Sequence, residues 1–320
     1  MNVATFCRQS RVVIVAGKGG VGKTTVTAAL ARMAAQAGLD VLVCELEGKS
    51  GLAGAFGLDE ELGYREVELW SNGASVPGTV RGQALTPDDA LIEYLNDHGL
   101  KRVSKRLAAS GTLDVVATAA PGIQDILVLA KIKSLANSGQ VDLIVVDAPA
   151  AGHAVTFLTS AHGLLDSVRV GPIRAQATDV IDMLSDPTRC QVLLVTLPEE
   201  TPVNEVTDTA FLLEDRVGVS LGPVVVNGVY PVLTGLEVDP IQAAADLNER
   251  LSAPMAQSLA AAARFRLQRQ ELQATQIQRL TQALPLPQLA IPYLFHPHMG
   301  PPEIATLSSA LADCVEGLAG

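Results

Sequence analysis

A chain of 320 residues is long enough for one large α/β domain or two average ones, and 48% apolar content with only 3% aromatics suits helices packed on a parallel sheet better than a β-sandwich. The formal charge of −11 argues against non-specific grip on nucleic acid or an anionic membrane, since both reward an excess of Lys and Arg. Cys7, Cys44, Cys190 and Cys314 stand far apart with no C-x-x-C, which indicates neither a zinc site nor a disulfide framework and fits a reducing cytoplasm; no apolar run reaches the roughly 18 residues that span a bilayer.

In chain order, RVVIVA (Arg11 to Ala16) is a β-branched run that the amino terminus enters directly, without a signal-peptide pattern. KTTVTAALARMAAQAG (Lys23 to Gly38) then predicts a helix closed by glycine, and VLVCEL (Val41 to Leu46) a second strand. A long, mostly helical insertion is expected next. TPDDALIEYL (Thr86 to Leu95) has Thr as N-cap, Pro at the first helical position and Asp three on, and PGIQDILVLAKIKSL (Pro121 to Leu135) opens on Pro-Gly. The apolar strands VDLIVVD (Val141 to Asp147), CQVLLVTL (Cys190 to Leu197), GPVVVN (Gly222 to Asn227) and QLAIP (Gln288 to Pro292) follow. Their alternation with helical segments predicts βαβ units and a buried parallel sheet. Between the last two strands, Ala263 to Leu284 spaces Phe265, Leu272, Ile277, Leu280 and Leu284 along one side with Arg and Gln opposite, which predicts a helix laid on the sheet by its apolar face. With no repeat and no linker, residues 1–320 read as one domain. Its helical insertion lies at about 85–138, and a shortened second insertion at about 165–188.

The chemistry starts at GKGGVGKTT, between the first strand and the first helix. It matches G-x-x-x-x-G-K-[ST]: Gly17, Gly19, Gly20, Val21 and Gly22 let backbone N–H groups turn onto phosphate oxygens at a positive helix end. Lys23 reaches the β/γ-phosphates, Thr24 offers its hydroxyl to Mg²⁺ and Thr25 completes the motif. A phosphate loop needs only Lys23, so Lys18 is surplus, and a second ammonium in one pocket repels the first unless phosphate lies between them. Strand alternation puts Glu45 and Glu47 of CELEG on one side of the chain, where two carboxylates serve a metal ion and an attacking water. Glu47 also reads as a solvated surface residue. Asp147, ending an apolar strand, is the acid expected to hold Mg²⁺ through water.

GKGGVGKTT with its extra lysine resembles the deviant Walker A P-loop ATPases, a SIMIBI-like fold class with a mostly parallel sheet, and several segments resemble the ArsA/Get-type, anion-transporting branch of that family. LAGAFG resembles its LSDAFG, LIVVDAPAAGH its second switch, ALTPDDALIEYL and PGIQDILVLAKIKSL its helical segments, and LPEETPVNEV the turn after its fourth strand. The resemblance implies ATP and Mg²⁺, with Lys18 reaching a partner's nucleotide across a dimer interface. It implies Glu47 as the water-positioning acid, Asn227 as the adenine reader, and Pro292 and Tyr293 wrapping the base. His153 matches the family's histidine but equally fits a hydrogen-bonded core residue; Ala150, Ala151 and Thr156 replace the family's Pro, Thr and Arg. One nucleotide site per chain implies association with itself or a paralogue. The absence of clustered cysteines argues against metalloid efflux, and a short second insertion with five methionines argues against a dedicated tail-anchor groove. The helix through Ile126 to Ala130 reads as a buried sandwich or a client surface. The expected function is a cytoplasmic ATPase whose dimer closure is passed to a protein client. The alternative is a nucleotide-gated binding protein, or the weakly active half of a heterodimer. Nucleic acid is excluded as a partner and membrane association is at most indirect.

Overall fold

The computed structural model describes residues 1–46, 51–73, 77–97, 99–102, 104–105, 122–167 and 172–318. Before the first strand comes a short helix, α1 (Val3–Cys7), capped by the Asn2 side chain, so the chain does not enter the sheet directly. Then follow β1 (Val12–Gly17), α2 (Lys23–Gln36), β2 (Asp40–Leu46), α3 (Gly51–Ala55), β3 (Val67–Ser71), β4 (Thr79–Leu85), α4 (Pro87–Asp97) and α5 (Ile123–Ser138). The second half contributes β5 (Leu143–Ala150), α6 (Ala151–Ser167), α7 (Pro172–Ser185), β6 (Cys190–Thr196), α8 (Glu200–Val217) and β7 (Val224–Val229). It ends with α9 (Pro240–Asp246), α10 (Ala253–Ala283), β8 (Gln288–Pro292) and α11 (Pro301–Glu316).

The eight strands form one sheet in the order β3-β4-β2-β5-β1-β6-β7-β8, parallel throughout except where β3 runs against β4. This is the expected α/β, mostly parallel P-loop architecture. β1 sits between β5 and β6, so the β5-to-β6 connection crosses over it. The crevice at the carboxyl ends of such strands is where ligands bind in open α/β sheets.

Alternation assigns each strand residue to a face. Val13, Val15, Val41, Val43, Leu143, Val145, Leu193 and Val195 pack under the Ala-rich α2 and under α11, while Ile14, Leu42, Ile144, Val146, Val192 and Leu194 face α5 to α8. With both faces covered, the central strands bury nearly every residue, which is why they read as continuous apolar runs.

Two expectations are corrected. The segment after β2 is not helical from the outset, because β3 and β4 extend the sheet there. β3 is a half-exposed edge strand and β4 mixes Thr, Arg, Gly and Gln into its pairing, so neither has an apolar run. The helix expected over 263–284 begins ten residues earlier, at Ala253, and packs against α8 and α9. Only its far end, at Leu280, with Leu284 just beyond, joins the core; Phe265 and Leu272 are exposed at 63% and 55%. By contrast Thr86 caps α4 as expected: its hydroxyl accepts from Asp89 N at 3.1 Å and donates to the Asp89 carboxylate at 2.7 Å. α5 is a sandwich on one side, where Ile126, Val128 and Leu129 are buried, and lines a small apolar cleft with Leu127 and Ala130 on the other.

Candidate active site

The loop between β1 and α2 is shaped by contacts that exclude side chains. A Cβ on Gly17 would lie 2.3 Å from the Val195 carbonyl oxygen. Gly22, at φ +89°, occupies the left-handed region, and a Cβ there would come within 2.3 Å of Asn227 Nδ2. The resulting turn leads from β1 into the first residue of α2, Lys23. Lys23, 7% exposed, lies over this loop with Nζ donating to the Lys18 carbonyl at 2.9 Å.

Beneath Thr24, register does the assembling. Val15 and Glu45 both pair with Asp147, so the two carboxylates occupy neighbouring strands at one level and share the face covered by α2. Both are buried, Asp147 at 0% and Glu45 at 1% exposed. Thr24 Oγ1 donates to Asp147 Oδ2 at 2.6 Å. Glu45 Oε1 accepts from Leu52 N at 3.3 Å, tying the end of β2 to α3. A hydroxyl and two buried carboxylates beside a phosphate loop form an all-oxygen donor set suited to a hard divalent cation. Glu47 lies outside the described residues, as do residues 48–50.

Lys18 leaves the loop toward α8, and its Nζ is 2.5 Å from Glu205 Oε1; the two side chains are 41% and 40% exposed. The lysine that composition makes surplus is therefore paired within its own chain. The second switch runs as strand to Ala150, whose Cβ lies 3.9 Å from where a Cβ of Gly19 would be, and α6 begins at Ala151. Thr156 donates to the Gly152 carbonyl of its own helix at 3.1 Å. His153 is exposed, not a core residue, and shares a cavity of about 270 Å³ with Asp125 of α5. Burial raises the Asp125 pKa against a smaller lowering by His153.

At the opposite end of the loop, Asn227 Nδ2 donates to the Val21 carbonyl at 2.8 Å, joining β7 to the phosphate loop. Pro292 ends β8 opposite Val229, and Tyr293 N donates to the Val229 carbonyl at 2.8 Å. The Tyr293 ring, 43% exposed, stands 5.2 Å from that of Tyr230 and 4.8 Å from that of Phe295. Sequence reasoning missed three polar residues around this rim: Glu205, Arg266 and Gln273. Glu205 lies inside LPEETPVNEV without any motif of its own, and the other two sit on what looked like the solvent side of α10.

A glycine loop at the head of α2, a Thr bonded to a buried Asp below it and an Asn at its flank define a P-loop nucleoside triphosphatase. The family model for the anion-transporting ATPases matches residues 10–174. The chain belongs to this family, whose activity as a class is ATP hydrolysis. It is 34% identical over 228 residues to ATPase BagA of Mycobacterium tuberculosis, a match covering 69% of this chain and 66%, just under two thirds, of that relative. It is also 26% identical over 242 residues to a putative arsenical pump-driving ATPase of Halobacterium salinarum, covering 70% and 36%. Against ATPase get3 of Schizosaccharomyces japonicus the identity is 26% over 148 residues, covering 46% and 42%. Among the described residues no helix is long and apolar enough to cross a membrane.

Proposed function

We propose that this chain is a Mg²⁺-dependent ATPase that closes as a dimer, with itself or with a paralogue, and passes closure through α4 and α5 to a protein client in the cytoplasm. The observation that carries the reading is the Thr24–Asp147 contact, 2.6 Å long and part-buried beside the glycine loop. In this reading residues 1–320 act as one domain, with the helical insertion at about 85–138 as the transmitting layer and a shorter one at about 165–188. Acidity leaves nucleic acid outside the partner set and makes any membrane association indirect.

ATP sits with its phosphates on the Gly17 to Thr25 loop and its base between Asn227 and the Pro292–Tyr293 segment. Thr24, Asp147, Glu45 and Glu47 would hold a bound Mg²⁺, which supplies positive charge to the β- and γ-phosphate oxygens. Lys23 places its ammonium on the same oxygens. Glu47 orients a water for in-line attack: the new O–P bond forms as the bond from Pγ to the β-bridging oxygen breaks, ADP leaves with that electron pair, and the water's proton passes to a γ-phosphate oxygen. Lys18 exchanges Glu205 for the partner's triphosphate and adds charge where the transition state develops it. The exchange is feasible because a half-exposed ion pair is worth only about 0.2–1 kcal/mol.

The test is the rate of phosphate release per chain as a function of protein concentration, with Mg²⁺ or with EDTA. A rise with concentration that EDTA abolishes is expected; a rate per chain independent of concentration would refute the dimer. Thr156, bonded to its own helix, favours a second reading, a nucleotide-gated binding protein or the weak half of a heterodimer. Tight ATP binding with no turnover, restored by adding a paralogous chain, would select it.

A further inference from the structure

We infer that Gln273, with Arg266, is the positioning residue for base recognition, so that α10 sets the adenine specificity of the site. The inference rests on the proposed base-reading role of Asn227. Its starting point is a fault in the sheet. Pairing between β7 and β8 shifts between Val226 and Val229, and Gly228 inside that stretch has φ +75°. A bulge of this kind leaves backbone groups without ladder partners. Gln273 supplies them from another element: its Nε2 donates to the Gly228 carbonyl at 3.0 Å, and its Oε1 accepts from Tyr230 N at 2.8 Å. The side chain is 5% exposed with both ends engaged, so a single primary amide stands in for a missing strand.

The same face of α10 continues the clasp, because residues 266, 269, 270 and 273 follow helical spacing. Arg266 Nη2 and Gln270 Nε2 both donate to the Pro231 carbonyl, at 2.8 and 3.0 Å. The Arg266 guanidinium stacks 4.3 Å from the Tyr230 ring and 5.0 Å from that of Phe295, and Arg269 reaches Glu199 at 3.1 Å. Apart from the Arg269–Glu199 pair, what this face holds lies in residues 228–231 or in the aromatic cluster beside Tyr293. Asn227 precedes the clamped segment directly, so its amide direction depends on the clamp. The polar stripe of α10 thus turns inward, and Phe265 and Leu272 are left outside. That arrangement makes poor sense for stability alone and good sense for placing a base-reading turn.

The test compares wild type, Gln273→Leu and Arg266→Ala for the dissociation constants of ATP, ITP and inorganic tripolyphosphate in Mg²⁺. Losing two buried hydrogen bonds predicts about ten-fold weaker ATP binding for Gln273→Leu, and Arg266→Ala about three-fold. Tripolyphosphate affinity should hold, and the preference for ATP over ITP should shrink. If ATP and tripolyphosphate weaken in parallel, or folded variants bind ATP as wild type does, the inference is wrong. If Gln273→Leu does not fold, Arg266→Ala carries the same comparison. Wild type binding ATP and ITP equally would sink the adenine role of Asn227 itself, a failure distinguishable from failure of the clamp.

Discussion

The two ends of the proposed nucleotide site are built in opposite ways. At the phosphate end, Gly17 to Thr25 supplies loop, lysine and hydroxyl from nine consecutive residues, and the carboxylates beneath come from strands held in register by the central sheet. At the base end, Asn227, Gln273, Arg266 and Tyr293 come from three elements and meet across a break in strand pairing. The first end is a local fact of the chain. The second exists only after α10 has docked, so perturbations should divide accordingly: phosphate-end variants act on turnover, base-end variants on affinity.

The largest effect is expected for Lys18→Ala. A trans-acting cation of the finger type is typically worth about 10³- to 10⁵-fold in rate, so turnover should fall by about 10³-fold with ATP affinity nearly intact. Mixing this variant with Glu47→Gln chains should restore part of the activity, because one site then has both a foreign Lys18 and its own Glu47. Unchanged hydrolysis in Lys18→Ala, measured by phosphate release, would remove the trans role. Lys23→Ala comes next, at about 10²- to 10³-fold in turnover for loss of one preorganised charge on the phosphates. No mixing partner should rescue its own site.

For the base end, Asn227→Ala removes the bond to Val21 and opens space beside Gly22. ATP should bind about ten-fold more weakly while turnover at saturation stays within about two-fold, the pattern of lost uniform binding. Isothermal titration set beside saturation kinetics decides it. A collapse of turnover would mean that Asn227 shapes the phosphate loop rather than reading the base.

How much of this was legible in the sequence follows the same division. Glycine pattern, helix caps and buried strands are local, so the loop, Asp147, the Thr86 cap of α4 and the parallel sheet are all readable from neighbouring letters. β3 and β4 were not, because an edge strand and its mixed-polarity neighbour lack an apolar run. α10 was misread for a sharper reason. Amphipathic reasoning assigns the apolar stripe inward, but the groups waiting for the middle of this helix are a carbonyl, an N–H and two aromatic rings, which Gln273 and Arg266 satisfy and Phe265 does not. Lys18 shows the limit of a motif: the sequence announces the lysine, and only packing reveals that Glu205 of α8 holds it.

That pairing gives the smallest and most discriminating expectation. Glu205→Gln removes the charge that keeps Lys18 in its own subunit. If the bond competes with engagement of a second chain, its loss should lower the protein concentration needed for half-maximal hydrolysis. A pair with both side chains near 40% exposed is worth at most about 1 kcal/mol, so the shift should be about two- to five-fold. Raising the salt toward about 1 M, where the screening length falls to about 3 Å, should erase the difference between variant and wild type. The direction matters more than the size. Needing more protein after the substitution would mean that Glu205 helps the closed state, and the surplus lysine would then be held in cis for catalysis, not waiting to cross.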